Sequence, residues 1–460
     1  MVKVIIMKFR FYLALWTAKL SVIALKITKH KGTNFPGIVA QKICPDFIKY
    51  AKKPERIIAI TGTNGKTTCA NMVLDMLTKD GYNVLNNKYG SNISTGINTS
   101  LINGMTFFGK EKNKIAVFEI DERSARRIFP YLKPDYMLVT NLSRDSIMRN
   151  AHPEYIRDFI SEYMPKNTKL ILNADDLISS AIAKDNERVY FGIEKMDGDL
   201  DKSINLINDI QICPNCHSKL SYKYVRYNHI GRAYCKSCNF CAPEYDYSGY
   251  DVDIKNMTIK VKDKEGSYSY TLLNDSVFNI YNVVSVVALM RELGYTPERV
   301  SELLSMIGIT KSRFNEIKIK DKTLFKLLAK EKNAFATTRV FDYISKMPGD
   351  KEILVMNSCQ NDIKHWSENT CWLYDCDFEF LNDDSIKNII VCGPRRFDHK
   401  LRLLLAGVSE DRITLVEHEK DTPKALKLFE NDNIYVLYGT DSLVLGLKTA
   451  KEVENILRTL

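Results

Sequence analysis

Between residues 51 and 310, short apolar runs alternate with stretches whose apolar positions recur every three to four residues. The short runs lie at 57–60, 115–120, 136–140, 169–173 and 189–191. They are too brief for helices and read as strands. Residues 66–79 and 154–163 carry the helical period, the first stopped by Gly81, and 279–293 predicts a long apolar helix stopped by Gly294. Strands alternating with helices predict a mostly parallel, doubly wound sheet. Beyond a boundary near Lys311 the alternation returns at 352–357, 388–392, 412–416 and 433–438, which predicts a second, smaller, Rossmann-like α/β domain. The expected organisation is a helical lead-in over 1–50 ending at Pro45, a central domain over 51–310, and a C-terminal domain over 311–460. A piece rich in Cys and Tyr at 205–247 breaks the central rhythm and reads as an insertion.

Composition changes this picture little. With 460 residues, 45% hydrophobic and 27% charged, the chain can build two or three ordinary cores. The net charge of +10 is spread without a long Lys/Arg run. That favours a small anionic partner such as a nucleotide, or a membrane surface, over nucleic acid. At the start, residues 11–16 are apolar, but Lys19 and Lys26 interrupt the next stretch. This is too short to span a bilayer. Either an amphipathic helix packs on the protein, or it lies at a membrane interface.

Residues 57–68 read Ile-Ile-Ala-Ile-Thr-Gly-Thr-Asn-Gly-Lys-Thr-Thr. A strand, a glycine loop and a helix start in that order make a phosphate cradle. Gly62 and Gly65 let the backbone around Thr63 and Asn64 turn its N–H groups inward, and the helix beginning at Lys66 adds the positive end of its dipole. Lys66 would reach the terminal phosphates of ATP. Thr67 would hold Mg²⁺ through its hydroxyl, with Thr68 beside it. The shorter spacing distinguishes this loop from the common form with four residues between Gly and Gly-Lys. Mg²⁺ needs further oxygen ligands. Glu119, at the C-terminal end of the 115–118 run, is the preferred one, while Asp121 and Glu122 are either further ligands or solvated loop charges.

There are eleven cysteines. Cys213 and Cys216 form one Cys-x-x-Cys pair, Cys235 and Cys238 another, eighteen residues on. Four thiolates so spaced predict a closed, structural Zn²⁺ site in a reducing compartment, with Cys241 and His217 as spares. Tyr222, Tyr224, Tyr227 and Arg226 in the same module either stack on bases or pack within a hairpin. Cys359, Cys371, Cys376 and Cys392 are expected to be buried apolar residues, and His365 and His399 lack a clear partner.

The phosphate loop resembles those of Mur ligases and folylpolyglutamate synthetases. Residues 31–37, 141–145, 173–176, 278–282, 234–240, 372–379, 393–398 and 401–403 narrow the likeness to the MurT family, the synthetase subunits of lipid II isoglutaminyl synthase. The resemblance covers nearly the whole chain. It implies a Mur ligase-type central domain with an inserted four-Cys zinc ribbon, using ATP and Mg²⁺ at the cytoplasmic face of the membrane. The implied reaction phosphorylates the α-carboxyl of D-glutamate in the lipid II stem peptide and lets ammonia displace the phosphate. The ammonia would come from a GatD-type glutaminase docked on the C-terminal domain. Asn141 and Asn282 would lie near adenine, and Arg313 near the phosphates. Asn369 stands where the family carries an Asp that completes the glutaminase's Cys-His pair. Its amide oxygen can accept from an imidazole but carries no charge. The role is therefore weakened, or taken by Asp362 or Asp375, or the chain works without a glutaminase. Two more stretches depart from the family: 331–335 reads Glu-Lys-Asn-Ala-Phe, and 144–146 reads Arg-Asp-Ser. The alternatives are a Mur-type ligase joining an amino acid to a carboxylate, and a non-enzymatic ATP-binding scaffold, against which the intact loop and Glu119 argue.

Overall fold

A computed structural model describes residues 2–29, 32–88, 91–144, 152–307, 315–329, 333–356, 370–429, 433–439 and 442–459. Arg313 and Asn369 lie outside the described residues, as do Asp145, Ser146, Cys359, Asp362 and His365. The chain forms two compact units. The first holds residues 1–142, 153–203 and 210–309, and the second 143–152, 204–209 and 310–460.

The strands of the first unit, among the described residues, are β1 (Arg56–Thr61), β2 (Val84–Asn86), β3 (Ile115–Glu119), β4 (Tyr136–Val139), β5 (Lys169–Asn173), β6 (Arg188–Ile193), β7 (Leu220–Tyr227), β8 (Ile230–Cys235), β9 (Tyr247–Asp253), β10 (Thr258–Asp263) and β11 (Gly266–Thr271). Nine of them make one sheet in the order β11-β10-β9-β6-β5-β4-β1-β3-β2. It is parallel from β2 to β9, while β10 and β11 extend it antiparallel. The strand period of two divides β1 between two cores. Ile58 and Ile60 face the helices Lys66–Lys79, Val277–Glu292 and Pro297–Met306. Ile57 and Ala59 face the lead-in helices Val2–Ile27, Phe35–Ile43 and Phe47–Tyr50, with Ser94–Gly104. Both faces are covered, so these strands read as continuous apolar runs.

The lead-in helix Val2–Ile27 packs through Phe11, Ala14, Leu15 and Ala18. Phe11 stacks on Phe47 at 5.1 Å between ring centroids. Lys19 is buried and donates to the carbonyls of Ile102 (2.8 Å) and Met105 (2.7 Å), at the C-terminal end of Ser94–Gly104. Unpaired carbonyls and a negative dipole end favour a cation there, although burial pulls the lysine's pKa down to about 8.

In the second unit, β12 (Asn315–Ile319), β13 (Lys322–Leu328), β14 (Lys351–Val355), β15 (Ile386–Cys392), β16 (Ile413–Val416) and β17 (Asn433–Tyr438) form a sheet in the order β12-β13-β17-β14-β15-β16. Only the β12–β13 pair is antiparallel. Two segments remote in sequence join this unit. Arg144 pairs with Asp209 at 2.6 Å and lies 3.7 Å from Asp375. Asn205 and the Leu206 amide both donate to Asp377, at 3.0 and 2.6 Å. Cys376 and Cys392 are buried, as expected, but Cys371, at the N-cap of the one-turn helix Trp372–Asp375, is exposed.

His399 is buried between Trp372 and Phe378, with ring centroids 6.1 and 5.8 Å away. Burial in this apolar setting pulls its pKa down from 6.5 to about 4. The neutral ring is the folded form, so its contribution is complete above pH 6.5 and is lost as pH falls toward 4. Denaturant unfolding followed by intrinsic fluorescence should show a smaller loss of stability between pH 7 and pH 5 in His399→Gln than in the parent, by about 2 kcal/mol.

Candidate active site

The phosphate loop lies between β1 and the helix Lys66–Lys79. Gly62 and Gly65 have φ of 129° and 89°, conformations L side chains rarely adopt. Space forbids a side chain at both positions as well. A Cβ on Gly62 would lie 2.2 Å from the Thr140 hydroxyl, and one on Gly65 2.3 Å from Oδ1 of Asn282. Thr140 and Asn141 hold the loop from the end of β4. The Asn141 side chain accepts from the Asn64 amide (3.1 Å) and donates to the Asn64 carbonyl (3.0 Å). The Thr140 hydroxyl donates to that same carbonyl at 2.6 Å. Asn141 and Asn282 therefore both border the loop backbone.

Lys66 is largely buried at the helix start. Its ammonium donates to the Gly62 carbonyl and pairs with Glu122 at 2.8 Å. Glu122 is nearly inaccessible; burial pushes its carboxyl pKa up, and Lys66 opposes that shift. Asp121 is also buried and caps the turn at Glu122–Ser124 through the Arg123 amide. Neither carboxylate is a solvated loop charge. The role of Glu122 is not visible in the sequence because a lysine–glutamate contact spanning 56 positions leaves no local signal.

Thr67 donates to Glu119 Oε2 at 2.8 Å, and Asn92 donates to Glu119 Oε1 at 3.0 Å. Asn87 grips the Glu119 backbone on both sides, accepting from its N–H (2.9 Å) and donating to its carbonyl (2.8 Å). A hydroxyl and a carboxylate thus converge at the mouth of the loop. Oxygen-only donors on rigid elements suit a hard cation such as Mg²⁺, which also takes ligands from phosphate and water.

Asp175 and Asp176 follow β5 and are fully buried. Asp176 accepts from the Leu142 amide (2.6 Å) and the Ile178 amide (2.9 Å), with His229 Nε2 at 3.3 Å. Asp175 accepts from the hydroxyls of Tyr245 (2.5 Å) and Tyr281 (2.7 Å) and from the Ile193 amide (3.1 Å). Arg226 bonds Tyr281 at 2.6 Å and pairs with Asp199 at 2.7 Å. Through these contacts the β7–β8 hairpin is bound to the residues beside Asn141 and Asn282. Tyr224 and Tyr227 are buried, Tyr222 donates to the Ile210 carbonyl, and Arg226 is internal, so these residues offer no base-stacking surface.

The sulfurs of Cys213, Cys216, Cys235 and Cys238 lie within 4.8 Å of one another. The Cys213–Cys238 and Cys216–Cys235 separations are 3.6 and 3.4 Å. A tetrahedral zinc with Zn–S near 2.3 Å implies edges of about 3.8 Å, so the set is compatible with Zn²⁺. Cys241 and His217 are not in the cluster.

Comparison with known proteins agrees with this geometry. The family model of the Mur ligase middle domain matches residues 60–290, and that of the MurT ligase C-terminal matches 331–440. The MurT subunit of lipid II isoglutaminyl synthase from Staphylococcus aureus strain COL is 31% identical over 91% of this chain and 93% of its own length. The MurT subunit from Streptococcus pneumoniae is 27% identical over 88% and 90%.

The chain belongs to the MurT family.

Solved structures agree on the fold. A pseudomurein peptide ligase type C from Methanothermus fervidus superposes with a TM-score of 0.61 at 22% identity, covering 89% of this chain and 81% of that one. MurF from Acinetobacter baumannii gives 0.59 at 13% identity, covering 90% and 81%. Membership makes this chain an ATP-dependent ligase of the Mur type.

Two measurements check the site. Gly65→Ala should weaken ATP binding by at least about ten-fold in calorimetry, since it strains φ and drives a methyl into Asn282. Elemental analysis should find one zinc per chain, lost with a lowered melting temperature in Cys235→Ser but retained in Cys241→Ser.

Proposed function

We propose that this chain amidates the α-carboxyl of D-glutamate in the lipid II stem peptide, with ammonia delivered by a GatD-type glutaminase, at the cytoplasmic face of the membrane. The observation that carries this reading is the match to MurT subunits along nine-tenths of the chain, with an intact phosphate loop. In this reading the N–H groups around Thr63, Asn64 and Gly65 bind the ATP phosphates. Lys66 binds the terminal phosphates, Thr67 and Glu119 hold Mg²⁺ with Thr68 beside them, and Asn141, Asn282 and Arg313 complete the nucleotide site. ATP with Mg²⁺ supplies a phosphoryl group that makes a carboxylate oxygen a leaving group. Lys66 keeps cationic charge where anionic charge develops, and ammonia attacks the acyl phosphate carbon.

The C-terminal domain carries the partner in this proposal. On the helix Arg396–Leu405, Phe397, Leu401, Leu404 and Leu405 are exposed on one face, at the spacing of a docking stripe. Asn369 would complete the partner's Cys-His pair as a neutral acceptor. Asp375 is a poorer candidate, because Arg144 already lies beside it. An uncharged Asn369 also favours a second reading, a Mur-type ligase that joins an amino acid to a carboxylate without a glutaminase.

The test is ATP-dependent amidation of lipid II by the purified chain at high ammonium chloride, read by mass spectrometry. A product about one dalton lighter, as OH becomes NH₂, is expected, with Lys66→Ala slower by roughly 10²–10³-fold. No amidation with any ammonia source, but ligation in an amino-acid screen, would establish the second reading instead.

A further inference from the structure

The lead-in helix Val2–Ile27 buries one face, through Phe11, Ala14, Leu15 and Ala18, and leaves the opposite face apolar and uncovered. Phe9, Leu13, Trp16, Leu20, Ile23 and Ile27 are between 40% and 76% exposed. Their intervals of four, three, four, three and four residues keep them in one stripe down the helix. At about 1.5 Å per residue the stripe from Phe9 to Ile27 runs roughly 27 Å. The nearby loop extends it: Trp16 Nε1 donates to the Phe107 carbonyl at 2.9 Å, and Phe107 and Phe108 are exposed. Six large apolar side chains in a row, continued by two phenylalanines, exceed what a soluble surface ordinarily shows.

Charge says what covers this face. The first 45 residues contain eight Lys or Arg and no Asp or Glu. At 100° per residue, Lys8 and Lys26 fall along one flank of the stripe and Arg10 along the other. Lys110 and Lys112 follow the two phenylalanines. A second copy docking by two-fold symmetry would set cations against cations. An apolar stripe containing Trp and Phe between rows of cations matches a bilayer interface with anionic headgroups. Among the described residues, no helix is long and apolar enough to cross a membrane.

We propose that the outer face of the helix Val2–Ile27, with the 106–109 loop, docks this protein in the plane of an anionic membrane surface. The docking rests on the proposed function only for its use, which is to bring the site to a lipid-linked substrate.

The test is flotation of the full chain with vesicles of phosphatidylcholine alone or with phosphatidylglycerol added, lipid II omitted. Binding should need phosphatidylglycerol and weaken as salt rises. The Leu13→Glu/Leu20→Glu variant should bind at least about ten-fold less well, with an unchanged melting temperature and unchanged amidation of detergent-dispersed lipid II. A chain that ignores both vesicle types overturns the proposal. So does a dimer broken by the same two substitutions without vesicle binding, which would assign the face to a second copy. Because the vesicles lack lipid II, a failed amidation assay leaves the binding result readable, and vesicle binding says nothing for or against amidation.

Discussion

Two adjacent buried carboxylates at the end of β5, Asp175 and Asp176, tie the flanks of the phosphate loop to the inserted module. A carboxylate taken from water costs several kcal/mol unless its oxygens are met by donors, and removing one partner of such a group costs about 3–5 kcal/mol. Every donor to these two is therefore held where it is. Asp176 holds the Leu142 amide, and with it the preceding Asn141 against the phosphate loop. Asp175 holds Tyr281, and with it the following Asn282 against Gly65. The same carboxylate takes Tyr245, and Arg226 joins through Tyr281, so the inserted hairpin is docked by the charge that orders the loop.

That constraint gives the four-cysteine cluster a use. The module between β6 and β9 has a small apolar centre, in which Cys213 and Cys235 are themselves buried members beside Leu220 and Ala233. A core this small does not hold two hairpin strands at a defined height, and a metal closing four thiolates would. With the cluster closed, Arg226 and Tyr224 project from β7 at a set distance from Asp175. In the proposed nucleotide site the closed cluster would brace this contact, toward which Tyr224 and Arg226 face inward.

Much of this was legible in the chain. The helix Lys66–Lys79 and the strands β1, β3, β4 and β5 follow directly from apolar period and glycine stops, because they are local and covered on both faces. The loop and the four cysteines were legible because their chemistry demands fixed spacing. Features that depend on distance could not be read. The antiparallel strands β10 and β11 alternate covered and exposed positions, so they lack the continuous apolar run that marks the parallel strands. Segments 143–152 and 204–209 group with the second unit through Arg144 beside Asp375 and through Asn205 on Asp377, the latter pair 172 positions apart. Asn173-Ala-Asp-Asp176 was visible as a motif, but its function as a double anchor needs Tyr245, Tyr281 and Leu142 in view.

The Lys66–Glu122 pair obeys the same economy of buried charge. The loop's N–H groups, the helix dipole and the Lys66 ammonium all attract an anion. Among the described residues Glu122 is the carboxylate paired with that ammonium, at a depth where burial already favours its neutral form. In the proposed nucleotide site, phosphates would bring more negative charge to Lys66 than Glu122 does. Competition for the ammonium would remove the interaction that opposes the raised pKa of Glu122 and draw it toward protonation. Glu122 thus holds Lys66 ordered beside the loop, whereas the Glu119 carboxylate is fixed by Thr67 and Asn92 at the mouth, where the proposed cation would sit.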